Sequence, residues 1–300
     1  MQITAKIIKD STNQNGVRIT TVELEYPRFI HSEVMTHRMF SRNSASSRAI
    51  PVAKIIEQVE TNPAMPIHWG KNQPGMQAKQ ELSGVQKEEV YESWIASAKE
   101  SASRAKIMNM TGAHKQIVNR ILEPYQIMKV LVTATEWQNF FHLRDHEDAQ
   151  PEIKELAVQI KKAMQESVPD KLECGMWHLP YIVTKFEQGE QTYWLDAETE
   201  VSLEDAQKVS CSACAQVSYR KLDTSLEKAK EIYKKLVESE PVHASSFEHV
   251  ACCVDTSSLH LVSELCYGMT HIDAAENVWS GNFRDWVQFR QLLPNHVKQG

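Results

Sequence analysis

The stretch TTVELEYPRFIHSEVMTHRMFSRNSASSR, Thr20 to Arg48, changes its hydrophobic period midway. Val22, Leu24 and Tyr26 alternate with polar neighbours, the pattern of a strand with one buried face. Beyond Pro27, Ile30, Val34 and His37 recur at helical spacing, so RFIHSEVMTHRM is expected to be a helix with Glu33 and His37 on one face. The run THRMFSRNSASSR then gathers His37, Arg38, Arg42 and Arg48 with Ser41, Ser44, Ser46 and Ser47. Arginine forks and serine hydroxyls hold phosphate or carboxylate oxygens, and a nearby imidazole can bond a heterocycle. By residue content alone, a solvated loop with a basic face fits as well.

Working outward, MQITAKIIKD alternates Ile3, Ala5 and Ile7, and Asn15-Gly16 marks a hairpin turn before the next strand. Downstream, Ala49 to about Gln80 is rich in Pro and Gln and is expected to be a long loop. Helices are expected from about Val85 to Met108, with Val90, Trp94 and Ala98 inward, and from about Ala113 to Leu122. YQIMKVLVTA reads as a buried strand, and Thr135-x-x-Gln138 as a capping box opening a helix that ends at Arg144. Pro151 opens a helix whose Ile153, Leu156, Ala157, Ile160 and Met164 face inward. Two more helices follow, one capped by Ser202 and Asp205, the other carrying Leu226, Ala229, Ile232 and Leu236. The expectation is an α+β fold, a mixed sheet packed with several helices, in one catalytic domain over residues 1–300. Insertions are expected at about 49–80 and 186–201.

The whole chain limits the function classes. Its 300 residues and 42% hydrophobic content suffice for a large core. A net charge of −6 is not the field of a general nucleic-acid binder, so any anion site must be local. No apolar run approaches a membrane span, and the first residues are too mixed for a signal peptide, so a soluble cytoplasmic protein is expected. Six cysteines without a secretory signal are expected to be reduced, and Cys211-x-x-Cys214 lacks the second arm of a zinc site.

Two chemistries fit the remaining polar clusters. In one, His142, His146, Asp148, His243 and His249 bind a divalent metal in a nucleotide phosphohydrolase, with Arg48 as phosphate clamp. In the other no metal is present, and arginines and serines grip a nucleotide while histidines and hydroxyls cradle a cofactor. An RNA-contact reading of Thr36 to Arg48 lacks alternating aromatics apart from Phe40.

HRMFSRNSASSR resembles the R-H-R-x₇-S signature of flavin-dependent thymidylate synthases, the ThyX family: His37 and Arg38 match H-R, and Ser46 follows seven residues later. NRILEP is similar to the family's R-x-x-L-P element, and NFFHLRDHEDAQPEI to its N-F-x-x-L-R…A-Q-x-E-I segment. CAQVSY and HASSFEH resemble its A-R-V-S-Y and H-x-S/T-x-F-E-H elements, here after the signature instead of before it, an order that implies circular permutation.

The resemblance implies reductive methylation of dUMP to dTMP with FAD, NADPH and methylenetetrahydrofolate, in a homotetramer with shared active sites and no nucleic-acid or membrane partner. It assigns Glu33, Ser46, Ser47, Arg48, Arg120 and Arg144 to dUMP, with Arg144 promoting ionisation at uracil N3. It assigns His37, Arg38, Asn139, Ser218, His243, Ser245 and Glu248 to FAD, and no residue to a metal. Three positions depart from the pattern. Thr36 replaces the signature's first arginine, Ser44 a common glutamate, and Glu33 a glutamine.

Overall fold

The computed structural model describes residues 3–218, 222–255 and 268–297. Strands β1 (Thr4–Thr12) and β2 (Arg18–Pro27) form the expected antiparallel hairpin, with Gly16 at φ +77 in the turn, a conformation that costs glycine little. A 3₁₀ turn (Arg28–Ile30) leads to a one-turn helix, α1 (His31–Val34), and to β3 (Ser41–Ser44). Then come α2 (Val52–Thr61), α3 (Gly84–Met110), α4 (Lys115–Val118), a 3₁₀ segment Asn119–Tyr125 and β4 (Ile127–Ala134). Next are α5 (Gln138–Arg144), α6 (Pro151–Glu166) and β5 (Asp170–Lys171).

The main sheet has the order β3-β4-β2-β1-β5, antiparallel except for the β1–β5 pair. One face carries Val22, Leu24, Val130 and Val132, and α6 lays Ile153, Leu156, Ala157 and Ile160 into the same buried cluster. Burying each such aliphatic side chain stabilises the fold by roughly 1.5–3 kcal/mol, so this layer anchors everything built on it.

The second half adds β6 (Trp177–His178), a small sheet of β7 (Val183–Glu187), β8 (Glu190–Trp194) and β9 (Glu200–Val201), and helices α7 (Leu203–Ala215) and α8 (Leu226–Val237). A 3₁₀ segment, Ala244–His249, precedes β10 (Ala251–Cys253), β11 (His271–Ile272), β12 (Val278–Ser280), β13 (Phe283–Arg284) and β14 (Trp286–Gln288). Ser202 accepts from the backbone N–H of Asp205 and caps α7, as expected of it, while the Asp205 side chain takes no part in the cap; Ser225 accepts from the backbone N–H of Lys228 at the start of α8. The acidic span 186–201 is the β7–β8 hairpin and its continuation, and its Tyr193, Leu195 and Val201 pack on the core that also contains Val209, Ala229 and Phe247.

A buried chain of side chains ties the halves together. Ser11 Oγ meets His178 Nδ1 at 2.9 Å, His178 Nε2 meets Thr21 Oγ1 at 2.9 Å, Thr21 meets Thr133 at 2.7 Å, and Thr133 meets His249 Nδ1 at 2.8 Å. No helix among the described residues is long and apolar enough to cross a membrane.

Four local expectations are corrected. The helix expected from Arg28 to Met39 is confined to Arg28–Val34, because Arg42 Nη1 takes the carbonyls of Val34, Met35 and His37 at 3.2, 3.0 and 3.1 Å and closes the helix end. The expected loop at 49–80 contains α2, whose Val52, Ile55, Ile56 and Val59 pack against Ala98, Ala102 and Ala105 of α3. Those three alanines form the inward stripe of α3, while Val90 is exposed and Trp94 is held at the rim by donating Nε1 to the Ala64 carbonyl. The capping box at Thr135 does not form. Thr135 Oγ1 accepts instead from the backbone N–H of Arg284, and no side chain caps α5.

Candidate functional site

The segment from Glu33 to His37 converges on one guanidinium. Arg144, the last residue of α5, donates from Nε to His37 Nε2 at 2.9 Å, from Nη1 to Glu33 Oε2 at 2.9 Å and from Nη2 to Thr36 Oγ1 at 3.4 Å. Thr36 Oγ1 in turn donates to the Glu33 carbonyl at 2.6 Å, which aims its lone pair at Arg144. An arginine has five N–H groups in a fixed plane, so one N–H on each terminal nitrogen is left over. Thr36 has a clear consequence here: the arginine of the signature would face Arg144 with like charge, whereas the hydroxyl accepts from it.

His37 is 8% exposed, edge-on to Phe140 at 4.9 Å and tilted against Phe40 at 5.8 Å. Burial, with the charges of Arg144 and Arg42 adding to it, pushes its pKa down to about 4. A neutral imidazole accepting at Nε2 carries its proton on Nδ1. Thr36, His37, Arg38, Phe40, Asn139 and Arg144 line one cavity of about 280 Å³. Arg38 and Asn139 are exposed at it.

The proposed phosphate ligands form a second cluster. Asn119 is fully buried and donates to the carbonyls of Ser47 and Ile50 at 2.6 and 3.1 Å, binding the loop after β3 to the 3₁₀ segment. Glu123 Oε1 accepts from Arg120 Nη1 at 2.7 Å, from Arg28 Nη2 at 3.0 Å and from Ser47 Oγ at 3.3 Å. Ser46 and Arg48 lie exposed beside this loop, and Arg48 has no ion pair among the described residues.

Of the C-terminal candidates, His243 precedes the segment Ala244–His249 without a side-chain capping bond, Ser245 is exposed on it, and Glu248 is ion-paired to Arg290. This segment packs on β3 and β4, and Asn43 of β3 donates to the Cys214 carbonyl at 3.0 Å, so the CAQVSY-like and FEH-like blocks abut the signature segment. Ser218 ends a 3₁₀ turn, and its side chain lies outside the described residues, as does Tyr219. Ser246 Oγ and His249 Nε2 are buried without a hydrogen-bond partner among the described residues.

Arg28 and Glu123 belong to this cluster, and motif reading passes over both. The signal was present for one of them: counted against R-x-x-L-P, NRILEP carries Glu123 at the leucine position. Arg28 has no such signal, because it reaches Glu123 across 95 residues of chain.

The metal-binding reading finds no support. Among the described residues no three His, Cys, Asp or Glu side chains are placed to hold an ion, and His142 and His146 are exposed while His249 is buried.

A mixed α+β architecture with a basic, serine-rich loop and a part-buried arginine–histidine pair is thus the class to which this chain belongs. The family model for thymidylate synthase complementing protein (Thy1) matches residues 17–170, and the chain belongs to that family, ThyX. No curated protein matches it significantly. Among solved structures it is similar to the UMP/dUMP methylase PolB from Streptomyces cacaoi bound with 5-Br UMP. That match has 16% identity, TM-score 0.45, and covers 55% of this chain and 89% of that one. The same enzyme bound with 5-Br dUMP matches at 14% identity and TM-score 0.45, covering 55% and 90%.

Proposed function

We propose that the protein is a flavin-dependent thymidylate synthase that methylates dUMP reductively to dTMP. The observation that carries this reading is the convergence of Glu33, Thr36 and His37 on Arg144, which fixes a guanidinium with two N–H groups to spare at a cavity. Held at N3 and O4 of uracil, that guanidinium favours the ionised ring by paired charge-assisted hydrogen bonds and makes C5 electron-rich. No cysteine nucleophile is then needed. Four of the described thiols are poor candidates in any case: burial raises Cys211 and Cys214, and pushes Cys252 up to about 12 and Cys253 up to about 11.

The donor set around the cavity suits a flavin. Neutral His37, exposed Arg38 and Asn139 offer hydrogen bonds at its rim, Phe40 and Phe140 offer an apolar wall, and the orphaned Ser246 Oγ and His249 Nε2 belong to the FEH-like block packed nearby. A cavity of about 280 Å³ suits a heterocyclic ring and leaves the remainder of FAD to Arg38, His243, Ser245 and the exposed surface. When bound, FAD recharged by NADPH supplies the hydride, and methylenetetrahydrofolate supplies the carbon. His37 orients Arg144 and, being neutral, does not compete with it for anionic partners.

The permuted motif order is part of this proposal. It is supported by the packing of residues 244–249 on β3, which sets the two blocks side by side although they stand in reversed order. A homotetramer with shared sites is proposed with it, and light scattering on a sizing column tests that.

The deciding experiment is the spectrum of the purified protein. Flavin bands that bleach on anaerobic addition of NADPH, with dTMP formed when dUMP and methylenetetrahydrofolate follow, are expected. A colourless protein that neither takes up FAD nor makes dTMP overturns the proposal.

A further inference from the structure

The three groups that meet at Glu123 are those expected at a phosphate: two arginines and a hydroxyl, all directed at one oxygen. We propose that Glu123 is an internal competitor for the substrate's phosphate, occupying the anion site of Arg28, Arg120 and Ser47 until a phosphate monoester displaces it. This rests on the assignment of Arg120 and Ser47 to the phosphate of dUMP.

Three features carry the inference. A carboxylate oxygen and a phosphate oxygen accept the same charge-assisted bonds, so Glu123 satisfies this cluster in the unliganded chain. The position it occupies is leucine in the R-x-x-L-P element, where no anion is available, and so the competition belongs to this chain. Finally, the carboxylate has somewhere to go, because its side chain is 24% exposed and that of Arg120 is 54% exposed, at the surface end of the cluster.

A fixed carboxylate within a few ångströms of a dianion opposes its entry, and the cost is felt only by ligands that carry the phosphate. A nucleoside leaves the Glu123 cluster closed and escapes the cost. Glu123 therefore narrows the preference for dUMP over deoxyuridine, a specificity that no base contact would alter.

The test compares wild type with E123Q, which removes the charge and keeps the shape, by titration calorimetry with dUMP and with deoxyuridine. E123Q is expected to bind dUMP roughly tenfold more tightly, about 1.4 kcal/mol, with deoxyuridine unchanged. E123L, which restores the family residue, is expected to act in the same direction, and E123D, which keeps the charge, is not. Should E123Q fold poorly, E123L serves in its place.

If wild type binds dUMP and E123Q binds it equally or less tightly, Glu123 organises the arginines for phosphate, and the competitor role is overturned while the proposed function stands. If neither protein binds dUMP, the proposed function falls, and the competitor role is decided by thermal shift in inorganic phosphate. A larger stabilisation of E123Q than of wild type supports it, and an equal one overturns it.

Discussion

At the scale of single residues, two of the three arginines assigned to the nucleotide are already engaged by carboxylates, Arg144 by Glu33 and Arg120 by Glu123. The consequences differ, because Arg144 keeps two unused N–H groups and sits at the cavity. Arg144→Ala is expected to lower dTMP formation by about 10²–10³-fold, the loss typical of one preorganised donor, while the flavin-to-protein absorbance ratio stays that of wild type. Arg144→Lys is expected to fail nearly as badly, since an ammonium cannot fork. Wild-type turnover in either variant would remove Arg144 from the reaction. His37 supplies an independent check. Its imidazole is expected to titrate near pH 4 in NMR spectra, leaving it neutral across the physiological range, and a midpoint above 6 would mean that it is not buried against two guanidinium groups. Spacing alone exposed His37, Arg38 and Ser46, because a sequence motif records residues that act together within one loop. Glu123 and Arg28 escaped because their partnership exists only once the 3₁₀ turn Arg28–Ile30 and the 3₁₀ segment Asn119–Tyr125 are packed together.

At the scale of elements, legibility follows the range of the interactions that define each one. Helices α6, α7 and α8 were readable because their apolar stripes and serine or proline starts are local features. The end of α1 was not, since the group that closes it is Arg42 from the following strand, and the capping box failed because a backbone N–H 149 residues away takes the Thr135 hydroxyl. Helix α2 was hidden by Pro51 and the Pro- and Gln-rich run after it, although its own Val52, Ile55, Ile56 and Val59 have a clear helical period. Its seam with α3 makes a prediction. Ile55→Ala is expected to cost about 2–5 kcal/mol by leaving a cavity against the alanine stripe, and Ala102→Leu about 1–3 kcal/mol by overfilling it. Both are read as lowered denaturant midpoints. A midpoint unchanged by Ile55→Ala would show that α2 is not seated on α3.

At the scale of the whole molecule, the chain of Ser11, His178, Thr21, Thr133 and His249 joins the N-terminal sheet to the segment that carries the FEH-like block. No reading of one sequence pairs these residues, because the link is polar and buried and runs across contacts up to 167 residues apart. It has a thermodynamic consequence. Burial holds His178 well below its ordinary pKa and pushes His249 down to about 3. Unfolding exposes both imidazoles, and below their unfolded pKa near 6.5 each then binds a proton that the folded protein refuses. Their neutral forms are accommodated at no linkage cost above pH 7, and stability falls as the pH drops through 6.5 towards the folded values. Two such groups remove about 4 kcal/mol between pH 7 and pH 5, a window above the range where most carboxylates titrate. Denaturant midpoints at pH 7 and pH 5 measure this directly, and equal stabilities at the two values would contradict it. His249→Asn provides the control, since its amide can approach the Thr133 hydroxyl as Nδ1 does but cannot take up a proton. Whatever that variant loses at pH 7, its further loss on going to pH 5 is expected to be about half that of wild type, and an undiminished loss would place the acid sensitivity outside this buried chain.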